Sequence, residues 1–530
     1  MTELLHAIPQ RQANRDPSPL ALVHKNERLR YGELAERIDA AAAGFLSLGC
    51  ERRDRIAIFL PKQFETVAAM FGAVRAGCVF VPVNPLLKAA QVAHILRDCN
   101  VRVLVTSSER FELLREELPH CVDLRHVVVV GNDASLPDVK TPQVLSWHAL
   151  LGAGQAPRAH RVVDTDMAAI LYTSGSTGKP KGVVLSHRNM VTGAHSVAQY
   201  LGNTAEDRLL AALPFSFDYG FSQLSTAFHV GASVTLMDYL FPKDILTALA
   251  KERITGLAGV PPLWAQLSEL QWPAESTSHL RYITNSGGAM PGSTLSKLRA
   301  TLPKAQVFLM YGLTEAFRST YLPPSEIDKR PGSMGKAIPN AEILVVRPDG
   351  TPCEPNEPGE LVHRGSLVAL GYWGDSEKTQ LRFRPAPGLP DGLRIPEIAV
   401  WSGDTVRADE DGFLYFVGRK DEMIKTSGYR VSPTEVEEVV FGSGLVGDAA
   451  AVGVKHAKLG QAIVVVATPA AGRTPESKAV LDHCRKELPA FMVPTRVEWR
   501  DHLPRNPNGK YDRPKLAVEL ADLFENDKAE

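Results

Sequence analysis

Apolar positions recur along the first half of the chain with two alternating periods. In residues 31–48, Leu34, Ile38, Ala41, Phe45 and Leu48 share one face of a predicted helix that stops at Gly49. The run DRIAIFL at 54–60 is continuously apolar, the pattern of a strand covered on both faces. The alternation goes on with a helix over 65–75, a strand over 79–83, a helix over 91–98 and a strand over 101–106. It resumes after Asp166 with strands over 209–213, 233–237, 282–284 and 307–309, and helices around 245–252, 262–270 and 293–301. Such alternation predicts helices layered on largely parallel sheets.

From about Asn340 the pattern changes. Short strands over 343–347, 359–363 and 413–417 are separated by Pro, Gly and Asp, which predicts a small antiparallel, barrel-like unit. Residues 383–396 carry four prolines without periodicity and read as a surface loop. Beyond about Gly418 come a helix over 434–440, strands over 449–454 and 462–468, a helix over 477–488 and a Pro/Gly-rich tail. That final stretch, about 110 residues, has the size of a small separate domain. The expected fold is therefore α/β. A large N-terminal domain of stacked, mostly parallel α/β sheets plus the barrel-like unit spans 1–418, and a small α+β domain spans 419–530.

A length of 530 residues agrees with more than one domain. With 59 Lys+Arg against 60 Asp+Glu, the net charge of −1 removes the general electrostatic motive for binding nucleic acid or an anionic membrane, although a local basic patch stays open. Six cysteines (Cys50, Cys78, Cys99, Cys121, Cys353 and Cys484) stand far apart, with no CxxC pair and no metal-ligand spacing. They read as buried reduced thiols, so a cytoplasmic location is expected. The first residues lack the basic start and apolar core of a signal peptide, and no window approaches the ~20 apolar residues of a membrane span.

Candidate chemistry begins at YTSGSTGKPKG, residues 172–182, where three glycines, four Ser/Thr hydroxyls and two lysines follow the apolar AAIL. Glycines let backbone N–H groups approach an anion, and hydroxyls and lysines add donors and charge, as a triphosphate requires. The same composition also suits a flexible surface loop. It is not a Walker A loop, because the glycine spacing is short and Lys179 is followed by Pro180. Four further clusters bear on the choice: NSGGA at 285–289, YGLTE at 311–315, WSGD at 401–404 and NPNGK at 506–510. The first two follow predicted strands, and strand ends are where ligands gather in α/β sheets. Taken singly, each reads equally as a turn, a structural Gly-Asp pair or a solvated lysine.

Taken together, and with GRKDEMIKTSGYR at 418–430, these stretches resemble the adenylate-forming (AMP-binding) superfamily of acyl-CoA synthetases, carrier-protein adenylation domains and luciferases. The resemblance runs from about residue 21 to 513. The segments PFSFDYG, MYGLTEAFRSTYLPP and KTSGYRVSPTEVEE narrow it to the AMP-forming acyl-CoA ligases associated with exosortase systems. The resemblance implies two half-reactions using ATP, Mg²⁺ and CoA (or phosphopantetheine). A carboxylate attacks the α-phosphate to give an acyl-adenylate and pyrophosphate, and a thiol then takes the acyl group and releases AMP.

Carried onto this sequence, the resemblance implies that Thr173, Ser174, Gly175, Ser176, Thr177, Gly178 and Lys181 guide the β- and γ-phosphates. Ser286, Gly287, Gly288, Ala289 and Tyr311 would enclose adenine, Thr314 would touch the α-phosphate and Glu315 would bind the metal. Asp404 and Arg419 would hold the ribose, and Lys510 would bridge the carboxylate and the α-phosphate. The small C-terminal domain would be mobile, rotating about Asp421 between the two steps to withdraw Lys510 and bring in Gly428, past which a pantetheine arm runs. No side-chain nucleophile is needed, since positioning and electrostatics suffice.

The acid pocket is expected around Phe217, Asp218, Gly220, Trp264 and Met310. Many acyl-CoA synthetases carry histidine where Phe217 stands, and Phe-Asp here is typical of amino-acid-activating members, whose carboxylate binds the substrate ammonium. Gly220 and KTSGYRVSPTEVEE lean back toward CoA ligases. Asp218 is thus either an ammonium ligand or a structural carboxylate. His229 and Arg318 are weaker candidates for polar substrate contacts, and read more readily as a core histidine and a surface arginine. The expected activity is an AMP-forming acyl-CoA ligase acting on a small-molecule carboxylic acid. The alternative is an amino-acid or acyl adenylating enzyme whose partner is an acyl carrier protein.

Overall fold

The computed structural model describes residues 4–131, 142–152, 158–173, 180–388, 392, 396–419, 423–470, 472–504 and 511–524. The predicted alternation is realised with element ends moved by a few residues at most. The helix Tyr31–Ser47 buries Leu34, Ile38, Ala41 and Phe45, and the strand Arg55–Phe59 is buried along almost its whole length. One sheet of eight strands has Arg55–Phe59 between Val79–Pro82 and Val101–Ser107, all parallel, and continues in parallel through His126–Val130 to Gln143–Ser146. On its other side Val79–Pro82 meets Met167–Thr173, which pairs antiparallel with Lys181–Ser186.

A second sheet of fourteen strands holds Arg208–Ala211, Gly256–Gly259, Tyr282–Asn285 and Gln306–Tyr311 in parallel order. Helices Phe64–Ala76 and Asp218–Val230 are buried nearly all round, which fits a position inside the molecule rather than on its surface. Phe71, Phe80 and Phe221 stack where these helices meet the eight-stranded sheet, with ring centroids 5.2–5.9 Å apart. Periodicity did not reveal the helix Asp218–Val230 or the strand Gly256–Gly259. The former is buried from Tyr219 to Phe228 whatever the residue type, so its polar positions do not mark a solvent face, and the latter begins and ends in glycine.

The expected antiparallel strands are present, but they do not stand apart as a barrel. Thr320–Leu322 and Ser333–Ala337 carry the ladder from Gln306–Tyr311 across to Leu414–Arg419. Ile398–Ala408, Gly359–Gly365 and Ala341–Val346 then extend the fourteen-stranded sheet. Within the proline-rich stretch, Phe383–Pro385 pairs with Ile398–Ala408 as a short strand instead of remaining loop. A third sheet begins at Ile424–Thr426 and is built on the antiparallel pair Val446–His456 and Gly460–Pro469. Helices Pro433–Gly442 and Ser477–Glu487 cover one face of it, and Arg513–Glu519 covers the other. Among the described residues no helix is long and apolar enough to cross a membrane.

Candidate active site

The parallel strands Tyr282–Asn285 and Gln306–Tyr311 lie side by side in register, so the segments leaving their C-terminal ends are neighbours. These segments place Ser286 and Gly287 next to Thr314 on the wall of a cavity of about 610 Å³. Thr173, Phe217 and Asp218 line the same cavity from the large body, and Gly428, Tyr429 and Arg430 line it from the third sheet. Gly288 and Ala289 face a neighbouring cavity of about 450 Å³ that also touches Gly428.

Glu315 is buried beside the main cavity. Its Oε1 accepts a hydrogen bond of 2.7 Å from the Tyr372 hydroxyl, and Arg382 Nε stands 4.0 Å away. Burial pushes this carboxyl up, but the guanidinium groups of Arg382 and Arg430, with the Tyr372 and backbone hydrogen bonds, together outweigh it and hold Glu315 below the usual carboxylate range. The Lys181 ammonium sits 5.1 Å from the centre of the Tyr372 ring, and burial together with nearby Lys378 lowers its pKa. This corner gathers more cationic than anionic groups around one buried carboxylate, a receptive setting for phosphate. Among the described residues no group of three or more His, Cys, Asp or Glu could cage a metal. A lone carboxylate nevertheless fits Mg²⁺, which commonly takes one or two protein carboxylates and completes its shell with substrate phosphates and water.

Tyr311 donates its hydroxyl hydrogen to Asp404 Oδ2, so the ring and the carboxylate are held together. Asp404 lies directly opposite Arg419 in the ladder between Ile398–Ala408 and Leu414–Arg419. Residues 401–404 and 311–315 thereby converge, although Tyr311 and Asp404 are 93 positions apart in sequence. Ser174, Gly175, Ser176, Thr177 and Gly178, Asp421 and Lys510 lie outside the described residues, as does the Arg419 side chain.

Of the residues expected in the acid pocket, Phe217 and Asp218 line the cavity and three do not. Trp264 is fully buried in the core, its ring against Gly259. Met310 is buried with its sulfur 3.0 Å from the Tyr200 hydroxyl. Gly220 serves packing, since a Cβ there would lie 1.9 Å from the Pro214 carbonyl oxygen. Asp218 opens the helix Asp218–Val230, and its Oδ1 accepts from Thr314 Oγ1 at 3.2 Å. Burial pushes its carboxyl up, against the opposing pull of Arg318. Arg318 is no surface residue: it is 1% exposed and lines the cavity. His229 stays outside the cavity lining, and burial lowers its pKa to about 4.

Sequence reasoning missed Tyr372 and Arg382, which no local motif marks. Arg430 lay in plain view as the last residue of KTSGYR. The roof was also unforeseen. Tyr429 stacks on Phe491 with centroids 3.8 Å apart and presents its ring to Phe217 at 5.2 Å, closing the third sheet onto the large body. A second contact across this junction runs from the Gln91 amide to Glu435 Oε1 at 3.1 Å. Burial pushes the Glu435 carboxyl up from 4.5 to about 7, with the Gln91 hydrogen bond opposing and Glu438 adding.

A carboxyl whose pKa is higher in the docked state favours docking most below pH 4.5, and this contribution falls as pH rises to 7. Fluorescence transfer between labels on the two bodies should therefore report weaker docking above pH 7 than at pH 5. Glu435→Gln should flatten that dependence; an unchanged pH profile in the variant would remove Glu435 as its cause.

A family profile described as AMP-binding enzyme matches residues 9–373, and one for the AMP-binding enzyme C-terminal domain matches 435–510. The chain belongs to the AMP-binding enzyme family. Among its relatives, a long-chain-fatty-acid–CoA ligase of Salmonella typhimurium is 31% identical over 542 residues, covering 96% of this chain and 92% of the relative. An L-proline–[L-prolyl-carrier protein] ligase of Streptomyces coelicolor is 33% identical over 525 residues, covering 93% and 92%. The solved o-succinylbenzoate CoA synthetase of Bacillus subtilis, a double mutant bound to a product analogue, superposes with a TM-score of 0.81 at 26% identity, covering 97% of this chain and 98% of that one. This AMP-binding enzyme thus shares 93–96% of its span with relatives whose names give CoA in one case and a carrier protein in the other.

Proposed function

We propose that this AMP-binding enzyme is an AMP-forming acyl-CoA ligase that activates a carboxylic acid as its acyl-adenylate and then passes the acyl group to the thiol of CoA. The observation that carries the reading is one cavity lined by Thr314, Asp218 and Gly428, with Glu315 buried next to Thr314. Nucleotide, acid and thiol can meet there. The acid's carboxylate oxygen attacks the α-phosphorus, the bond to the β-phosphate bridging oxygen breaks, and pyrophosphate leaves. Lys181, Arg382 and Arg430 supply positive charge where the phosphates sit, in surroundings that exclude much of the water. In this reading Asp404, which lies opposite Arg419 in the ladder, takes the ribose hydroxyls and Thr314 takes the α-phosphate. Glu315 is the carboxylate that would hold Mg²⁺, whose chemistry is to neutralise charge on the nucleotide phosphates. In the second step the CoA thiolate attacks the mixed anhydride carbonyl and AMP departs, the pantetheine arm entering beside Gly428.

Domains 1–418 and 419–530, pivoting at Asp421, would exchange Lys510 for Gly428 between the steps. A charged residue joining two sheets absorbs a backbone rotation without repacking a core. Placement in the exosortase-associated group rests on the three quoted segments alone. A cytoplasmic setting accords with six free cysteines and with ATP and CoA as substrates.

The test is ATP–pyrophosphate exchange with fatty, aryl and amino acids, followed by CoA or a pantetheinylated carrier protein. Acid-dependent exchange and a CoA thioester with AMP are expected. ADP or inorganic phosphate as the nucleotide product would overturn the reading. Burial of Asp218 in the cavity favours one second reading, the loading of a carrier protein with an amino acid. Exchange driven only by amino acids would select it.

A further inference from the structure

Arg318 is among the largest fully buried side chains of the molecule, and among the described residues its guanidinium is hydrogen-bonded to no carboxylate. Nη1 stands 3.4 Å from Ser286 Oγ and Nη2 stands 3.3 Å from Ser222 Oγ, both long contacts to neutral hydroxyls. The guanidinium lies 4.6 Å from the centre of the Tyr219 ring. Nε is buried without a hydrogen-bond partner among the described residues. Asp218, on the same cavity wall, feels the charge of Arg318 without pairing with it directly, and its described hydrogen bond comes from Thr314. A guanidinium withdrawn from water and left with so little compensation is costly, and burial of this kind persists where a charged partner completes it.

The backbone holds the side chain in place. Phe317 has φ 55° and ψ −47°, and the Arg318 N–H donates to the Ala316 carbonyl 2.5 Å away, closing a three-residue turn. Such a turn is strained for a residue with a side chain. The fully buried Phe317 ring anchors it. Arg318 thus reaches the cavity from a rigid base, a few residues beyond Thr314 and Glu315.

We propose that Arg318 is a specificity-determining residue for an acid carrying a second anionic group: a dicarboxylic acid. One carboxylate is activated near Thr314, and the other takes the guanidinium of Arg318 as a bidentate partner. Arginine's planar fork suits a carboxylate in two-point contact. The Ser286 hydroxyl, on the same cavity wall, stays beside the pair as a further donor, while Ser222, whose proton goes to the Tyr219 carbonyl, goes on accepting from Nη2. This rests on the ligase reading, since it names that reaction's substrate class.

The experiment compares straight-chain monocarboxylates with α,ω-dicarboxylates of equal length, with and without an α-amino group, in ATP–pyrophosphate exchange. The wild-type enzyme should prefer a dicarboxylate over its methyl-terminated counterpart by about 100-fold in kcat/KM, the scale of a broken buried ion pair. Arg318→Met should erase or reverse the preference through KM, and Arg318→Lys should restore part of it. Preference for a monocarboxylate in the wild type overturns the inference and leaves the ligase reading standing. So does a dicarboxylate preference that survives in Arg318→Met.

Calorimetric titration of the same dicarboxylates, in the presence of a non-hydrolysable ATP analogue, separates the remaining cases. Dicarboxylate binding that needs Arg318, without exchange by any acid, sustains the pocket and overturns the ligase reading. Neither binding nor exchange overturns both.

Discussion

Lys510→Ala lowers acid-dependent ATP–pyrophosphate exchange by about 10²–10³-fold, the loss of about 2.7–4 kcal/mol that follows removal of one preorganised donor from a developing oxyanion. The expectation follows from the proposed role of Lys510 in NPNGK, where its ammonium meets charge that grows on the α-phosphate only as the acid attacks. Such a contact lowers the barrier more than it tightens substrate binding, so kcat carries the loss and KM for ATP changes little. The second half-reaction should be spared. Tyr511, the next residue, packs in the apolar cluster on one face of the third sheet, and Tyr429 and Phe491 belong to the cluster on the other. A chain that presents Gly428 to the cavity therefore carries Tyr511 on the far side of that sheet. Thioester formation from acyl-adenylate supplied ready-made is the measurement. Equal losses in both half-reactions would remove Lys510 from its assigned step.

Gly428→Leu is expected to have the converse effect, slowing thioester formation about 10–100-fold while exchange persists. Gly428 has φ +81°, and a Cβ there would stand 2.9 Å from Val260 Cγ2. Both the left-handed backbone and the close approach demand glycine. Forcing a side chain into such a conformation costs about 1–3 kcal/mol, which displaces the segment or undocks the third sheet from Val260 and Gly287. Since the loss falls on the arrangement that admits the thiol, a single-turnover transfer assay with CoA reads it directly. A parallel collapse of pyrophosphate exchange would indicate general damage and sink the assignment.

These two expectations start from motifs legible in the sequence alone. Glycine-rich and hydroxyl-rich runs announce themselves because backbone conformation and phosphate chemistry restrict residue types locally, within a few positions. The α/β alternation was legible for the same reason: buried parallel strands and one-sided helices each impose a short period. Periodicity failed where no local rule operates, as in the helix Asp218–Val230, buried all round, and the glycine-bounded strand Gly256–Gly259. The antiparallel strands after Asn340 were seen, but their hydrogen-bonding to the parallel sheet through Thr320–Leu322 and Ser333–Ala337 was not, since a strand's pattern does not name its neighbour.

The site divides along the same line. Glu315, Asp404 and Gly428 could be named from their motifs. That Tyr372 donates to Glu315, that Tyr311 donates to Asp404, and that Tyr429 closes over Phe217 depended on contacts between distant segments. Trp264 and Met310 looked like pocket residues by position, yet packing turned them into the core. Arg318 is the sharpest case. As a letter in EAFRST it is an ordinary arginine, most often solvated. The strained turn at Phe317 and the walls around it make it a buried charge facing a cavity. The sequence by itself determined the family, the layered α/β class and the phosphate chemistry, because each is written in local patterns of residue type. Only the tertiary structure decided which side chains share a desolvated space, because burial and charge pairing arise between segments that the chain keeps far apart.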